Sequence, residues 1–319
     1  MSLTPLTPLT SLTPLTSLTP LTSLTSKIMD IDEIIQKNVA LLSKHSVKED
    51  SLVPGSHAPL PSIEAVKEII SLVKTIIFTD YFYKRQPEEE IRSYYIGVHV
   101  EQLYLQLKEQ IARGLLFNSD LDEEATPAKA KVLAAEFIDR LPYIKHLLYT
   151  DVEAMFQGDP AATNYGEVIY CYPVVNAMTH YRCAHELHLM GIPVLPRIIT
   201  ELAHSKTGID IHPGASIGEY FCIDHGTGVV IGETCIIGDH VRLYQGVTLG
   251  AKSFKYDDEG NMVNCPRHPI LENNVTVYSN SSILGRVTIG EGSVIGGNIW
   301  LTHSVPPGSK ILQSKALDV

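Results

Sequence analysis

Long apolar runs are missing from this 319-residue chain: none approaches the eighteen or so residues that a membrane-spanning helix requires, so we expect no membrane span. Basic residues are also in deficit. Twenty-five Lys and Arg against 36 Asp and Glu leave a formal charge of -11, which argues against nucleic acid or an anionic bilayer as a partner. That balance does not exclude a local basic pocket for a small anionic ligand. Cysteine is sparse: Cys171, Cys183, Cys222, Cys235 and Cys265 are odd in number and scattered, which fits a reducing, cytoplasmic setting better than a disulfide framework. The opening residues carry no basic group and prolines interrupt them, which excludes a secretory signal. What residues 2–26 do contain is only Ser, Leu, Thr and Pro, with a leucine at every third position from Leu3 to Leu24. Those leucines would share one edge of a polyproline II helix. With no second face to bury, we read 1–26 as a low-complexity tail rather than a partner-binding rod.

Residues 27–206 read as an all-α domain. Asp30 to Glu33 puts acids in a first helical turn, and Pro61-Ser62 starts a helix with an apolar stripe of Ile63, Val66, Ile70, Val73 and Ile77. Pro87 to Glu90 opens a third helix closing near Arg113-Gly114, and Thr126-Pro127 opens a fourth that runs past Pro142 towards Met155. Gly158 to Ala161 interrupts the series. Two more helices follow, from Tyr165 to Met190, with Pro173 as a start or kink, and from Pro193 to Ser205.

From Ile209 to Val305 the apolar period becomes six. Ile211, Ile217, Ile223, Val229, Cys235, Val241 and Val247 form one row; Ile231, Ile237, Leu243 and Leu249 form a second, two positions along; Leu271, Val277, Ile283, Ile289, Ile295 and Leu301 resume it. Helices return at three and four, and flat strands at two. A period of six belongs to a parallel β-helix whose triangular coil has three sides of about six residues. The fold class is therefore α+β, with the coils at 207–310 and a C-terminal tail at 311–319. Between Gly250 and His268 the frame fails, and residues 251–261 read as an extruded hairpin turning at Asp258 to Asn261.

Candidate chemistry gathers on the coils. Asp210 opens the first, and Asp224-His225-Gly226 lies almost one coil later; a carboxylate beside an imidazole fixes its tautomer and supports the imidazolium formed in general-base work. Arg267-His268, at the end of the hairpin, offers a guanidinium fork for a carboxylate. Asp159 reads either as a helix cap or as a counter-ion for an ammonium group. His240 and His303 read as structural or solvent-facing.

Asp210-Ile211-His212-Pro213-Gly214-Ala215, Asp224-His225-Gly226-Thr227-Gly228, Val247-Thr248-Leu249-Gly250 and Arg267-His268-Pro269, in that order on a hexapeptide repeat, resemble the serine O-acetyltransferases of cysteine biosynthesis. Asp159-Pro160-Ala161 and Tyr181-Arg182 followed by His185 resemble the same family. The resemblance implies a left-handed β-helix and acetyl transfer from acetyl-CoA, as co-substrate, to the hydroxyl of L-serine, with no metal. It implies His225 as base, oriented by Asp210; Asp159 and Asp224 on the serine ammonium; and Arg267 with His268 on its carboxylate. Backbone N–H groups near Gly250 and Ala251 would face the oxyanion, and Ser279 and Gly297 would border the pantetheine arm. It further implies sites between subunits of a homotrimer or dimer of trimers, inhibition by L-cysteine, and docking of the C-terminal tail into O-acetylserine sulfhydrylase. Three features depart from the family pattern: Ala251 where a second glycine is common, a long acidic hairpin tip, and Val319 where the tail often ends in isoleucine, which weakens the sulfhydrylase expectation.

Three rival readings compete with this one. Cys222 with His225, and Cys265 with His268, have the spacing of a zinc pair, but residues three apart on an extended segment face opposite ways. A different hydroxyl acceptor, a sugar or an antibiotic, suits Asp159 and Arg267 less well than a zwitterion does. A non-catalytic scaffold leaves Asp210 and His225 without a role.

Overall fold

The computed structural model describes residues 31–44, 46–50, 59–82, 89–117 and 125–313. The Ser-Leu-Thr-Pro repeat, the helix start at Pro87-Glu88 and the tail from 314 to Val319 lie outside them. The chain divides into two compact units at Val53/Pro54. In the first, the described residues form helices α1 (Ile31–Leu42) and α2 (Val47–Asp50).

The second unit holds α3 (Ile63–Ile77), α4 (Thr79–Phe82), α5 (Glu89–Leu115), α6 (Thr126–Gly158), α7 (Tyr165–Cys171), α8 (Pro173–Leu189) and α9 (Leu195–Thr207). Local chemistry sets most of their ends. The Ser62 side chain accepts from the Ala65 N–H to cap α3, and Pro127 supplies the first turn of α6. Pro173 ends one helix and starts the next, since Tyr172 before it is extended. α6, by contrast, continues through Pro142. One position of the α3 stripe is corrected: Ile63 is exposed, one residue past the cap, and Ile69, Leu72 and Ile76 complete the buried face.

α9 closes on Gly208, whose φ of 70° suits glycine, and the next residues start the coils. The first coil contains β1 (Asp210–Ile211), β2 (Ser216–Ile217) and β3 (Cys222–Asp224); the second β4 (Val230–Ile231), β5 (Ile236–Ile237) and β6 (Arg242–Tyr244). The third contains β7 (Thr248–Gly250), β8 (Ile270–Leu271) and β9 (Thr276–Val277); the fourth β10 (Ser282–Leu284), β11 (Thr288–Ile289) and β12 (Val294–Ile295). β13 (Trp300–Leu301) and β14 (Lys310–Ile311) belong to a fifth. They stack as three parallel sheets, β1-β4-β7-β10-β13, β2-β5-β8-β11 and β3-β6-β9-β12-β14.

The register corrects the reading of the apolar rows. Ile211, Ile217 and Ile223 stack under Ile231, Ile237 and Leu243, twenty residues on, whereas Ile231 stacks under Leu249, eighteen on. The inward row therefore passes from Ile223 to Ile231, and Val229, Cys235, Val241 and Val247 are the buried corner residues that precede it. The first coil is two residues longer than the second, and the surplus falls at the corner of Gly226 to Gly228. Every residue of these rows is buried, each contributing about 1.5–3 kcal/mol of apolar transfer if fully removed from water. The extruded hairpin is present, closed by a bridge between Tyr256 and Met262 and by Asp257 N–H to the Asn261 carbonyl at 2.9 Å.

α8 fastens the coils to the helices. Tyr181 Oη donates to the Ala215 carbonyl at 2.6 Å, and Arg182 donates to the carbonyls of Ile217 and Gly218 at 2.6 and 2.7 Å. The same guanidinium holds both oxygens of the buried Asp151 carboxylate at 2.9 and 3.1 Å, and Asp151 accepts the Phe221 N–H at 3.2 Å. Four of the five guanidinium N–H donors are thereby used, as a buried ion pair requires.

Candidate active site

The candidate residues divide between two edges of the prism. The corners that lead from the third sheet back to the first carry Asp224, His225, Ser279 and Gly297, with Asp210 opening β1 on the same side; we call this the histidine edge. The corners from the first sheet to the second carry Gly250, Ala251, Arg267 and His268, the arginine edge.

On the histidine edge, Asp159, Asp224 and His225 line one cavity of about 350 Å³, together with Tyr172, Cys222 and Gly158. His225 has φ 58° and a side chain 71% exposed, its Nε2 3.8 Å from Asp224 Oδ1. Its corner stacks on the turn before β1, with Gly228 N–H donating to the Gly208 carbonyl at 2.8 Å. Gly226 faces Ile209 so closely that a Cβ there would lie 2.6 Å from its Cδ1. Asp210 starts β1 beside Val230. Among the described residues its carboxylate makes no hydrogen bond to His225; it lies within 4.8 Å of ligand atoms of Glu201 and His204.

Asp159 both ends α6 and turns its carboxylate into the cavity. It accepts the Tyr172 hydroxyl at 2.5 Å and the Ala161 N–H at 2.8 Å, and these two bonds, Tyr172's first, hold its carboxyl below the usual range. The same bond pushes the Tyr172 phenol up to about 12. Arg242 donates to the Gly158 carbonyl at 3.0 Å and packs so close that a Cβ on Gly158 would meet Nη2 at 2.5 Å. The residues lining this cavity are acidic or neutral, and none is Lys or Arg. An ammonium group suits that environment.

The arginine edge is of opposite character. Arg267 Nη2 pairs with Glu233 at 2.5 Å. Burial works against ionising Glu233, but its bond to Arg267 and the nearby imidazole of His212 outweigh burial and hold its carboxyl below the usual range. His268 Nδ1 accepts the Thr234 N–H at 3.0 Å, which assigns the proton of the neutral ring to Nε2. Burial, and then Arg267, hold its pKa below the ordinary histidine value. Only glycine fits beneath this ring, since a Cβ on Gly232 would lie 2.1 Å from His268 Cδ2. Gly250 ends β7, and the Ala251 N–H that follows donates to no backbone carbonyl among the described residues. Ser279 and Gly297 are stacked neighbours, a Cβ on Gly297 meeting the Ser279 carbonyl at 3.2 Å.

Neither zinc-type spacing makes a chelate. Burial pushes the Cys222 thiol up to about 12 while His225 faces outward, and His268 Nδ1 is already bonded to Thr234. The bland reading of His240 agrees with its stacking on Tyr220, with ring centroids 4.5 Å apart.

No family profile matches the chain. A plasmid-encoded serine acetyltransferase of Synechococcus elongatus is 48% identical over 271 residues, 83% of this chain and 85% of that protein. The chain belongs to the serine acetyltransferase family. The serine acetyltransferase of Bacillus subtilis is 42% identical over 166 residues, 52% of this chain and 73% of its own length. Serine acetyltransferase 1 of Entamoeba histolytica, solved with L-cysteine, superposes with a TM-score of 0.67 at 34% identity, over 85% of this chain and 93% of that one. Isoform 3 from the same organism, solved with cysteine, gives 0.66 at 30% identity, over 89% and 92%. The coils are thus the left-handed β-helix of the serine acetyltransferases.

Three residues of this family member's candidate site escaped the reading of its sequence: Tyr172, Glu233 and Arg242. Tyr172 is visible only as a residue before a proline, and Glu233 meets Arg267 only once the coil register is known. Among the described residues, no helix is long and apolar enough to cross a membrane.

Proposed function

We propose that the chain transfers the acetyl group of acetyl-CoA to the hydroxyl of L-serine, giving O-acetyl-L-serine and CoA, and that it is inhibited by L-cysteine. The observation that carries this reading is the opposed character of the two edges: carboxylates of Asp159 and Asp224 around His225 on one, the Arg267 guanidinium and the His268 Nε2–H on the other. A zwitterion with a hydroxyl between its charges complements both. The edges are distinct corners of one prism, so a site using both is best completed by the arginine edge of a second copy in a homotrimer or a dimer of trimers. Adjacent copies in a ring bring unlike edges together.

In the proposed mechanism Asp159 and Asp224 hold the serine ammonium, and Arg267 with His268 holds the carboxylate. His225 removes the hydroxyl proton as Oγ attacks the thioester carbonyl. Asp210 is assigned to orient the imidazole; because the His225 side chain is largely exposed, its ring is free to turn towards either neighbouring carboxylate. Charge on the carbonyl oxygen is met by N–H groups at Gly250 and Ala251, worth about 3 kcal/mol per donor in comparable sites. Collapse re-forms the carbonyl, breaks the C–S bond, and returns the proton from the imidazolium to the CoA sulfur. Acetyl-CoA lies along the coils past Ser279 and Gly297. On this reading residues 207–310 are the acyltransferase domain, preceded by the all-α region 27–206.

Thiol release from acetyl-CoA with L-serine, homoserine, a sugar and an aminoglycoside as acceptors tests the proposal: serine alone should support rapid turnover, and millimolar cysteine should compete with it. Faster turnover with a sugar or antibiotic would replace serine as substrate, and full activity of a monomer would remove the shared site.

A further inference from the structure

A second cavity, of about 380 Å³, lies in the helical part where α3, α8 and α9 meet. Against a chain of net charge -11, it is lined by three lysines, Lys67, Lys74 and Lys206, and no lining residue is acidic. The lysines come from two elements: Lys67 and Lys74 lie two turns apart on α3, and Lys206 is at the end of α9. Lys67 also reaches Glu64 at 2.7 Å, a pair exposed to solvent. Lys74 is half-buried, its ammonium 4.2 Å from the centre of the Phe82 ring; burial, and then the charge of Lys206, depress its pKa.

Two polar residues lie deep in the cavity, His180 and Asn176, the latter only 9% exposed. The Asn176 backbone carbonyl faces His180 Nδ1 at 2.7 Å, but its side-chain Nδ2 is buried with no partner among the described residues. A buried amide N–H₂ left unpaired is costly and asks for an acceptor. Ser71 and Ser205 stand at the rim; the Ser205 hydroxyl donates to the Leu202 carbonyl at 3.0 Å, which leaves Ser71 as the hydroxyl donor. Ammonium, amide and hydroxyl donors converging on one space, with no carboxylate among its walls, form the complement of a multiply charged oxyanion.

We propose that this cavity binds a tetrahedral oxyanion, a phosphate or sulfate group, either as the free ion or carried on a small molecule. Its volume exceeds that of the bare ion, and it is separate from the serine site on the coils. The reading does not depend on the acetyl-transfer proposal. The last turn of α9 contributes Ser205 and Lys206, and four residues after Lys206 the chain reaches Asp210, so an occupied cavity would hold the helix from which the first coil starts.

Isothermal titration of the full chain at constant ionic strength tests this, using inorganic phosphate, inorganic sulfate and glycerol 3-phosphate as probes. One saturable site per chain is expected, weakened at least tenfold in Lys206→Met and further in Lys74→Met/Lys206→Met. Lys206 is exposed, so its substitution leaves packing intact and answers the question even where the double variant fails to fold. Tighter binding of the monoester than of phosphate identifies a carried group, and equal affinity identifies the free ion. Absence of saturable binding, or binding unchanged by Lys206→Met, overturns the proposal.

Discussion

The histidine edge and the arginine edge are built from the same repeating corner, yet they treat their charges in opposite ways. On the histidine edge, Asp159 and Asp224 share a cavity with His225, and among the described residues neither carboxylate is in an ion pair with Lys or Arg, although the Arg242 guanidinium lies near enough to Asp224 for their charges to interact. On the arginine edge, Arg267 already has Glu233, and His268 is held neutral by burial and tied to Thr234. One edge therefore presents unspent negative charge, whereas the other holds a cation in reserve with an internal counter-ion. On the proposed reading, the difference directs the ammonium end of the zwitterion to the first edge. At the second, the ligand's carboxylate must compete with Glu233.

Four experiments sharpen or break this contrast. The largest effect falls on the base: His225→Ala should lower kcat about 10³-fold with little change in the KM for serine, and a variant within tenfold of wild type would remove His225 from the chemistry. Arg267→Met should instead raise the KM for serine ~30-fold and leave kcat within a few fold, since it removes a charge-assisted carboxylate contact rather than the base. An unchanged KM would mean that the two edges do not share a ligand. At serine well below the wild-type KM, where both single variants are poor, co-expressing them in equal amounts should restore about one quarter of wild-type activity, because in a closed ring that fraction of junctions joins two intact edges. No recovery would place both edges of a site in one chain.

The smallest effect concerns Asp159. Tyr172→Phe removes a bond that positions the Asp159 carboxylate and does most to keep its pKa below the usual range; the lost positioning should raise the KM for serine ~3-fold at neutral pH, where the carboxylate stays ionised. The carboxylate binds an ammonium only when ionised, so serine binding weakens as pH falls through its pKa. Without Tyr172 that pKa returns upward, and the weakening should set in at higher pH than in wild type. Identical pH profiles of kcat/KM would show that Asp159 does not contact the ammonium.

Much of this architecture was legible in the sequence because its signals are local. Ser62 and Pro127 mark helix starts, and a return of apolar residues every six positions has one structural solution. The frame of the coils was less legible. Val229, Cys235, Val241 and Val247 keep the spacing of Ile211, Ile217 and Ile223, and corner and inward positions are both apolar, so nothing in hydropathy marks the two-residue surplus at Gly226 to Gly228. Ile63 reads as core by period but lies too near the end of α3 for a neighbour to cover it. In the site, His225, Asp224 and Arg267 could be picked out by residue type. Their partners could not: Glu233 meets Arg267 across 34 positions, and Tyr172 meets Asp159 across the whole of α7. The expected bond from Asp210 to His225 is not formed in the single chain.

A perfectly regular solenoid has no addresses, for every rung shows the same surface as the one above it. Here two irregularities supply them: a corner lengthened by a glycine pair beside His225, and an excursion of the chain that delivers Arg267 and His268 to the opposite flank. Shortening either would hand those side chains back to the monotony of the stack, leaving a sound fold that no longer distinguishes one storey from another.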